Sequence, residues 1–228
     1  VTGVQTCALP ICGVSNPEYV TFAISGTTPG TIAKTTSDAW AWKLENVNGS
    51  GSSACDLNTT GPHTVYTILA EPTDPWDNTV GSQKNAWKNA LDFAIVTCNA
   101  GGNTTEDSAM DAITTHLYTI PYHGASQCLM GDGYFSYTSY MTTTLANCLD
   151  SAVGLDTSGS LLGMDMIAKR RTQFFNFNFH CFVKKGGYVY DSCSAMNFCI
   201  IKMVYADYIA AGTPGSGSVE SDETYPIK

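Results

Sequence analysis

The chain has 228 residues and a formal net charge of −9, carried on only 14% charged residues, with 43% of positions hydrophobic. That balance excludes a nucleic-acid surface, which needs clustered Lys and Arg, and supports a packed core of ordinary domain size. No apolar run approaches the ~20 residues of a membrane-spanning helix, and a surface rich in Thr, Ser, Asn and Gly suits an extracellular protein.

In chain order, the opening VTGVQTCALPI has no initiator Met, no basic residue before an apolar core and no periodicity. It is similar to an in-frame translation of a common short-read sequencing adapter. Residues 1–12 are therefore expected to be foreign to the fold, with Cys12 at the junction, and the natural N-terminus to lie elsewhere.

Residues 13–70 read as a small β module, with the pattern of a truncated immunoglobulin-like piece. "EYVTFAIS" alternates through Val20, Phe22 and Ile24, "AWAWKLEN" through Trp40, Trp42 and Leu44, and "HTVYTIL" is a third run of β-formers. "NVNGSGSS" (46–53) separates the last two as a loop. A β extension of the main domain fits the same pattern.

After the two prolines of "AEPTDPW", residues 71–210 read as the main domain. In "SQKNAWKNALDFAIVTC", Trp87, Leu91, Ala94 and Cys98 form one helical stripe. "TTEDSAMDAITTHLY" predicts a second helix, capped by Thr104 three residues before Asp107, burying Ala109, Ile113 and Leu117 and stopped by Pro121. The aromatic, glycine-containing stretch 122–140 reads as a long loop. "LANCLDSAVGLDTSGSLLGM" then predicts a helix that opens at Cys148, right after Asn147, and stops at Gly163. Residues 165–179 leave little room for an extra strand, and alternating Phe175, Phe177 and Phe179 read as core. "FFNFNFHCFVKKGGYVYDSC" predicts a β-hairpin turning at Gly186 and Gly187. Residues 211–228 read as a flexible acidic tail.

The cysteines frame the chemistry. Setting aside Cys7 and Cys12 leaves seven, and no C-x-x-C pair suggests zinc. An odd number predicts up to three disulfides in an oxidising compartment, with one thiol left over. Cys193 and Cys199 are close enough in sequence to pair. The leftover thiol is assigned to Cys148, since unsatisfied N–H groups and the positive dipole end at a helix start favour a thiolate.

The hairpin supplies its partners. A two-residue turn sets Lys185 opposite Tyr188 and Phe182 opposite Asp191, so His180 and Asp191 are diagonal neighbours on one face. A one-residue slip would separate them. An Asp beside a His fixes the imidazole's orientation and stabilises its protonated form. His63, His116 and His123 have no such partner and read as ordinary structural residues.

"NCLDSAVGLDTSGSLLGM" followed by "HCFVKKGGYVYDSC" resembles the transglutaminase-like fold of the papain-like superfamily. In that family a Cys opens a helix ending in Leu-Gly-hydrophobic, and a strand beginning His-x-aromatic-Val returns through a hairpin to Asp. The resemblance covers roughly residues 76–205, with Phe182 where many members have Trp. It implies an α+β fold, a Cys-bearing helix packed on an antiparallel sheet. Cys148 would be the nucleophile, His180 the base and Asp191 the orienting acid. Gln127, Tyr137 and Tyr140 are candidates for a second oxyanion donor beside the Cys148 amide.

The resulting expectation is a secreted or cell-surface cysteine peptidase, deamidase or transglutaminase acting on protein or peptide amides, with no metal or organic cofactor. The rival is a catalytically inactive, disulfide-stabilised binding or adhesion module on the same fold.

Overall fold

The protein is described from a computed structural model, which covers residues 3–8, 19–24, 30–37, 39, 41, 43–44, 55–56, 59–76, 88–129, 133–196 and 201–227. Trp40, Trp42, Trp87 and Cys199, and the loop at 46–53, lie outside the described residues. The chain divides into two compact units, residues 1–30 and 31–228.

The first unit is a two-stranded antiparallel ribbon of β1 (Gly3–Ala8) and β2 (Tyr19–Ile24), with Gly3 opposite Ile24 and Ala8 opposite Tyr19. Residues 3–8 of the adapter-like stretch therefore pair as a strand, with Tyr19–Ile24 as the partner.

The second unit is mixed helix and sheet. It begins with β3 (Ala33–Ser37), β4 (Lys43–Leu44), β5 (Cys55–Asp56) and β6 (His63–Thr67), paired as β3 with β6 and β4 with β5. The boundary falls after Gly30 and not after Ala70, because residues 31–70 are stitched into the larger unit. Ile32 is fully buried and exchanges backbone hydrogen bonds with Asn103 and Gly102, while the amides of Leu69 and Ala70 donate to the Leu162 carbonyl.

Next come α1 (Lys88–Asp92), continued by a π-helical turn over Phe93–Thr97, and α2 (Glu106–Tyr118). The α2 cap is Thr105, whose side chain accepts from the Ser108 amide, one residue beyond the predicted Thr104. Ala109, Ile113 and Leu117 are fully buried, as their spacing predicts. The stretch 122–140 holds a short helix, α3 (Tyr137–Tyr140).

Helix α4 (Cys148–Leu161) opens at the predicted residue and buries every position except Asp156. Its stop is steric as well as conformational. Gly163 has φ +85°, and a Cβ there would come within 2.5 Å of the Ala70 backbone.

The main sheet has five antiparallel strands in the order β10-β9-β8-β7-β11: β7 (Ile167–Phe174), β8 (Phe177–Lys185), β9 (Tyr188–Asp191), β10 (Ile201–Val204) and β11 (Glu220–Asp222). Helix α4 packs on β8 and β7, and α5 (Tyr205–Ala211) follows β10. The segment that left little room for a strand thus supplies β7, because a tight turn at Phe175 and Asn176 uses only two residues. Phe174 takes the core position there, whereas Phe175, at φ +55°, is 40% exposed.

The acidic tail is ordered. Its strand β11 pairs with β7, placing Glu220 opposite Arg171 and Asp222 opposite Lys169. The Lys169–Asp222 pair and Arg171 Nη1–Glu220 Oε2 (3.3 Å) follow from that register. Farther on, the Phe135 amide donates to the Pro226 carbonyl at 2.9 Å.

Gly154 tests the packing of α4. Replacing a mid-helix Gly by Ala ordinarily gains up to about 1 kcal/mol, but here a Cβ would lie 2.1 Å from the Tyr140 ring. Gly154→Ala is expected to destabilise by about 1–3 kcal/mol through overpacking, read as a lower urea midpoint at unchanged slope.

Candidate active site

Two elements bring the site together. The β8–β9 hairpin has the predicted register, with Val183 opposite Tyr190, Lys184 opposite Val189 and Lys185 opposite Tyr188. One pleat on, His180 and Asp191 meet: Nε2 donates to Asp191 Oδ2 at 2.8 Å, both residues being at most 1% exposed. Since β9 ends at Asp191, its carboxylate reaches beyond the ladder and collects two further donors. The Cys193 amide binds Oδ1 at 2.9 Å and the Tyr208 hydroxyl binds Oδ2 at 2.7 Å. Tyr208, fully buried on α5, is a site residue that the sequence reading missed.

The second element is the start of α4. Asn147 caps it by accepting the Asp150 amide at 2.8 Å, and Asp150 accepts in return from the Asn147 amide at 3.3 Å, closing a capping box. Asp150 also accepts from the Ser126 hydroxyl (2.5 Å) and from the amides of Gln127 (2.7 Å) and Cys128 (3.2 Å). The loop 121–129 is thereby fastened to the first turn of the helix. Ser192 Oγ donates to the Ser151 carbonyl at 3.0 Å, joining the end of β9 to that same turn.

Cys148, the first residue of α4, is an unbridged thiol at 5% exposure. Its neighbours hold it ionised well below the ordinary thiol range. The Cys181 side chain contributes most by hydrogen bonding, burial opposes, and hydrogen bonding and charge from His180 add to the lowering, as does the Cys181 backbone N–H. Cys181 in turn is pushed far up, first by its hydrogen bond to Cys148 and then by burial. For His180, burial opposes protonation, but the Asp191 charge and hydrogen bond, followed by those of Cys148, outweigh it and raise the imidazole to about 9. With Nε2 committed to Asp191, Nδ1 is the nitrogen left for the sulfur. It is buried and has no hydrogen-bond partner, the sulfur included. Both shifts favour the ionised thiol and the protonated imidazole at neutral pH.

Aromatic rings enclose it. The His180 ring lies between Phe174 (6.0 Å), Phe177 (5.8 Å) and Phe182 (6.4 Å), and Phe174 stacks on Tyr208 at 5.3 Å. Tyr122 forms a bridge with Ala146, two residues before Cys148, and its ring is 6.2 Å from that of Phe177. Tyr122 itself is 38% exposed. Burial, then the charges of Cys148 and Cys193, raise its hydroxyl's pKa.

The three oxyanion candidates are not brought to the sulfur. Gln127 is exposed and its side-chain amide is 3.1 Å from His123 Nδ1 and 3.0 Å from the Ala125 carbonyl. Tyr137 is a core residue whose hydroxyl pairs with Ser158 Oγ at 2.7 Å, and Tyr140 is a core residue wedged against Gly154. Both lie on the short helix α3, whose aromatic face supplies packing volume. The backbone N–H groups of the first turn of α4 are the donors nearest the thiol by position.

Cys98, Cys128, Cys181 and Cys193 are, like Cys148, buried unbridged thiols, and the suggested partner Cys199 lies outside the described residues. Among the described residues no group of three or more His, Cys, Asp or Glu is arranged to hold a metal ion, and no helix is long and apolar enough to cross a membrane. A separate cavity of about 270 Å³ lies along α4, lined in part by Asp74, Asp156, Asp165, Asp222 and Glu223. There burial, with help from Asp74 and Asp165, outweighs the Ala168 amide and Ser160 hydroxyl and pushes Asp156 up to about 7. The chain matches no family model, no curated protein and no solved structure.

The pair fixes a pH signature. A His above its usual 6.5 stays protonated until pH passes its folded value, and a depressed thiol stays ionised until pH falls through its own. The His180 ring is therefore expected to titrate near 9 by NMR. Cys148 is expected to react with iodoacetamide already at about pH 6. Asp191→Asn removes the leading charge that raises His180 and should lower that titration by at least about one unit. An unchanged midpoint would contradict the assigned pairing.

Proposed function

We propose that the protein is a cysteine-dependent enzyme acting on protein or peptide amides, on a transglutaminase-like variant of the papain-like fold. The observation that carries this reading is the His180 Nε2–Asp191 Oδ2 hydrogen bond of 2.8 Å, which leaves Nδ1 to serve the sulfur at the start of α4.

The Cys148 thiolate attacks the substrate carbonyl carbon, and the oxygen gathers negative charge near the N–H groups and positive dipole end of α4. His180 Nδ1–H gives its proton to the departing amine, so that the C–N bond breaks and a thioester remains on Cys148. Neutral His180 then takes a proton from the incoming water or amine, which displaces the sulfur and restores the ion pair. Asp191, held by Tyr208 and the Cys193 amide, keeps Nε2–H oriented and steadies the imidazolium. Water as acceptor makes a peptidase or deamidase, and a lysine amine makes a transglutaminase. The secreted or cell-surface setting belongs to the same proposal and rests on composition.

The near-complete burial of His180 and Cys148 favours a second reading, a binding module that keeps the triad without turnover. One experiment separates them. The protein is given a fluorogenic peptide-amide library, and separately a glutamine-containing protein with a labelled primary amine. Turnover or amine incorporation that falls at least about 10³-fold in both Cys148→Ala and His180→Ala supports the enzyme. Slow alkylation of Cys148 that needs pH above about 8 and is indifferent to His180→Ala, with no turnover, would support the binding module.

A further inference from the structure

The Asp191 carboxylate is loaded unevenly. Oδ1 accepts the Cys193 amide at 2.9 Å, whereas Oδ2 accepts both His180 Nε2–H at 2.8 Å and the Tyr208 hydroxyl at 2.7 Å. A carboxylate oxygen offers about two lone-pair sites, so the phenol and the imidazole draw on the same charge at Oδ2. The Tyr208 ring is held there by packing. It is fully buried on α5, stacks on Phe174 at 5.3 Å and lies 5.0 Å from Phe182, and Phe174 in turn stacks on His180 at 6.0 Å. Gly212, which ends α5, makes room for Phe174, since a Cβ there would run into that ring.

We propose that Tyr208 is a positioning residue for the His180–Asp191 pair, whose hydroxyl limits the hold of Oδ2 on Nε2–H and so keeps the imidazolium ready to give up its proton. The inference rests on the functional reading for the use of that proton, but not for the hydrogen bonding itself. The sign follows from the O–H dipole. Its positive end points at Oδ2 and offsets part of the negative charge that stabilises the neighbouring imidazolium. Without it, Oδ2 keeps one partner and holds Nε2–H more tightly. Burial strengthens the effect relative to water. A residue that merely kept Asp191 in place would act the other way. Its loss would let the carboxylate drift from the ring, and His180 would deprotonate more easily, as in Asp191→Asn.

The other charged or titratable groups packed around His180 act elsewhere. From β7, Arg171 stands opposite it in the register, and its Nη1 donates to Glu220 Oε2 (3.3 Å) and the Tyr205 hydroxyl (3.5 Å). Cys148 comes from α4, and beyond β9 Cys193 reaches the pair through its backbone amide on Oδ1. Among the described residues Tyr208 is the side chain that shares Oδ2 with His180. Burial lowers the His180 pKa, and the Asp191 charge and hydrogen bond, with those of Cys148, outweigh it to reach about 9. A general acid works best close to the working pH, so a further rise would weaken proton donation.

The test follows the His180 ring by NMR through a pH titration of the full-length wild type, Tyr208→Phe and Tyr208→3-fluorotyrosine. Each is repeated in a Cys148→Ala background, which removes the sulfur's own charge. Phenylalanine keeps the ring and its stacking, and fluorotyrosine keeps the hydroxyl as a stronger donor. Tyr208→Phe is expected to raise the His180 midpoint by about half a unit or more and to move the Nε2–H resonance downfield. Tyr208→3-fluorotyrosine is expected to lower the midpoint. An unchanged or lowered midpoint in Tyr208→Phe overturns the proposal. So does an unchanged or raised midpoint in the fluorinated protein, which decides the matter if Tyr208→Phe does not fold. With a peptide-amide substrate, the alkaline limb of turnover in Tyr208→Phe should rise with the midpoint at unchanged KM, and a limb that stays fixed while the midpoint moves counts against the proposal as well. Failure of the functional reading looks different: no amide turnover by the wild type, with the NMR shifts still there to be read.

Discussion

A carboxylate at 1% exposure, as Asp191 is, must have its charge and lone pairs answered from inside the protein, because burying an unpaired charge is prohibitive. Every answer comes from a different element. His180 comes from the adjacent strand β8, Tyr208 from α5, and the Cys193 amide from the chain just past β9. The requirement therefore fixes more than an imidazole. It locks α5 onto the face of the sheet that carries His180, stacks Phe174 on Tyr208, and leaves one ring nitrogen uncommitted. Asp150 does the same work on the opposite side of the site. Fully buried, it gathers Ser126 and the amides of Gln127, Cys128 and Asn147, and so ties the loop 121–129 to the helix that presents the sulfur. The Ser192–Ser151 bond joins the two halves.

The parts of this arrangement that were legible in the sequence are the ones set by local rules. A Gly-Gly turn specifies the hairpin register, and the register alone brings His180 and Asp191 together. An Asn before a helical stripe and a Gly after it specify where α4 starts and stops. Cys148 therefore stands at an N-terminus by chain logic that needs no tertiary information.

What was not legible depends on partners far away in the chain. The tail 211–228 read as loose because its own composition is acidic and rich in Gly and Ser. It orders because Glu220, Asp222 and Glu223 meet the run Lys169, Arg170, Arg171 across a strand pair some fifty residues removed. Opposite charges on two short stretches were the available signal, though exposed pairs of this kind add little energy, and the backbone ladder does most of the ordering. Residues 31–70 were similarly assigned by their β pattern, while their attachment to Asn103, Gly102 and Leu162 runs through backbone groups that carry no side-chain signature. Tyr137 and Tyr140 were drawn toward the site by their polar tips. Their rings decided otherwise, since filling the space beside Gly154 and Trp76 is worth more than an exposed hydroxyl near the cleft.

The energetics of the buried pair bear on why the chain keeps it. Replacing a buried ion pair by well-packed apolar residues is often neutral or stabilising by about 1–4 kcal/mol, whereas deleting one member costs about 3–5 kcal/mol. A core already rich in Phe174, Phe177, Phe182 and Tyr208 has the apolar volume to take the first course. Holding instead a carboxylate, an imidazole and a thiol in one buried region, with one ring nitrogen left without a partner, is a poor way to make a protein stable. It is a good way to keep a sulfur ionised at neutral pH with a proton beside it, and perturbed groups of this kind concentrate where chemistry is done.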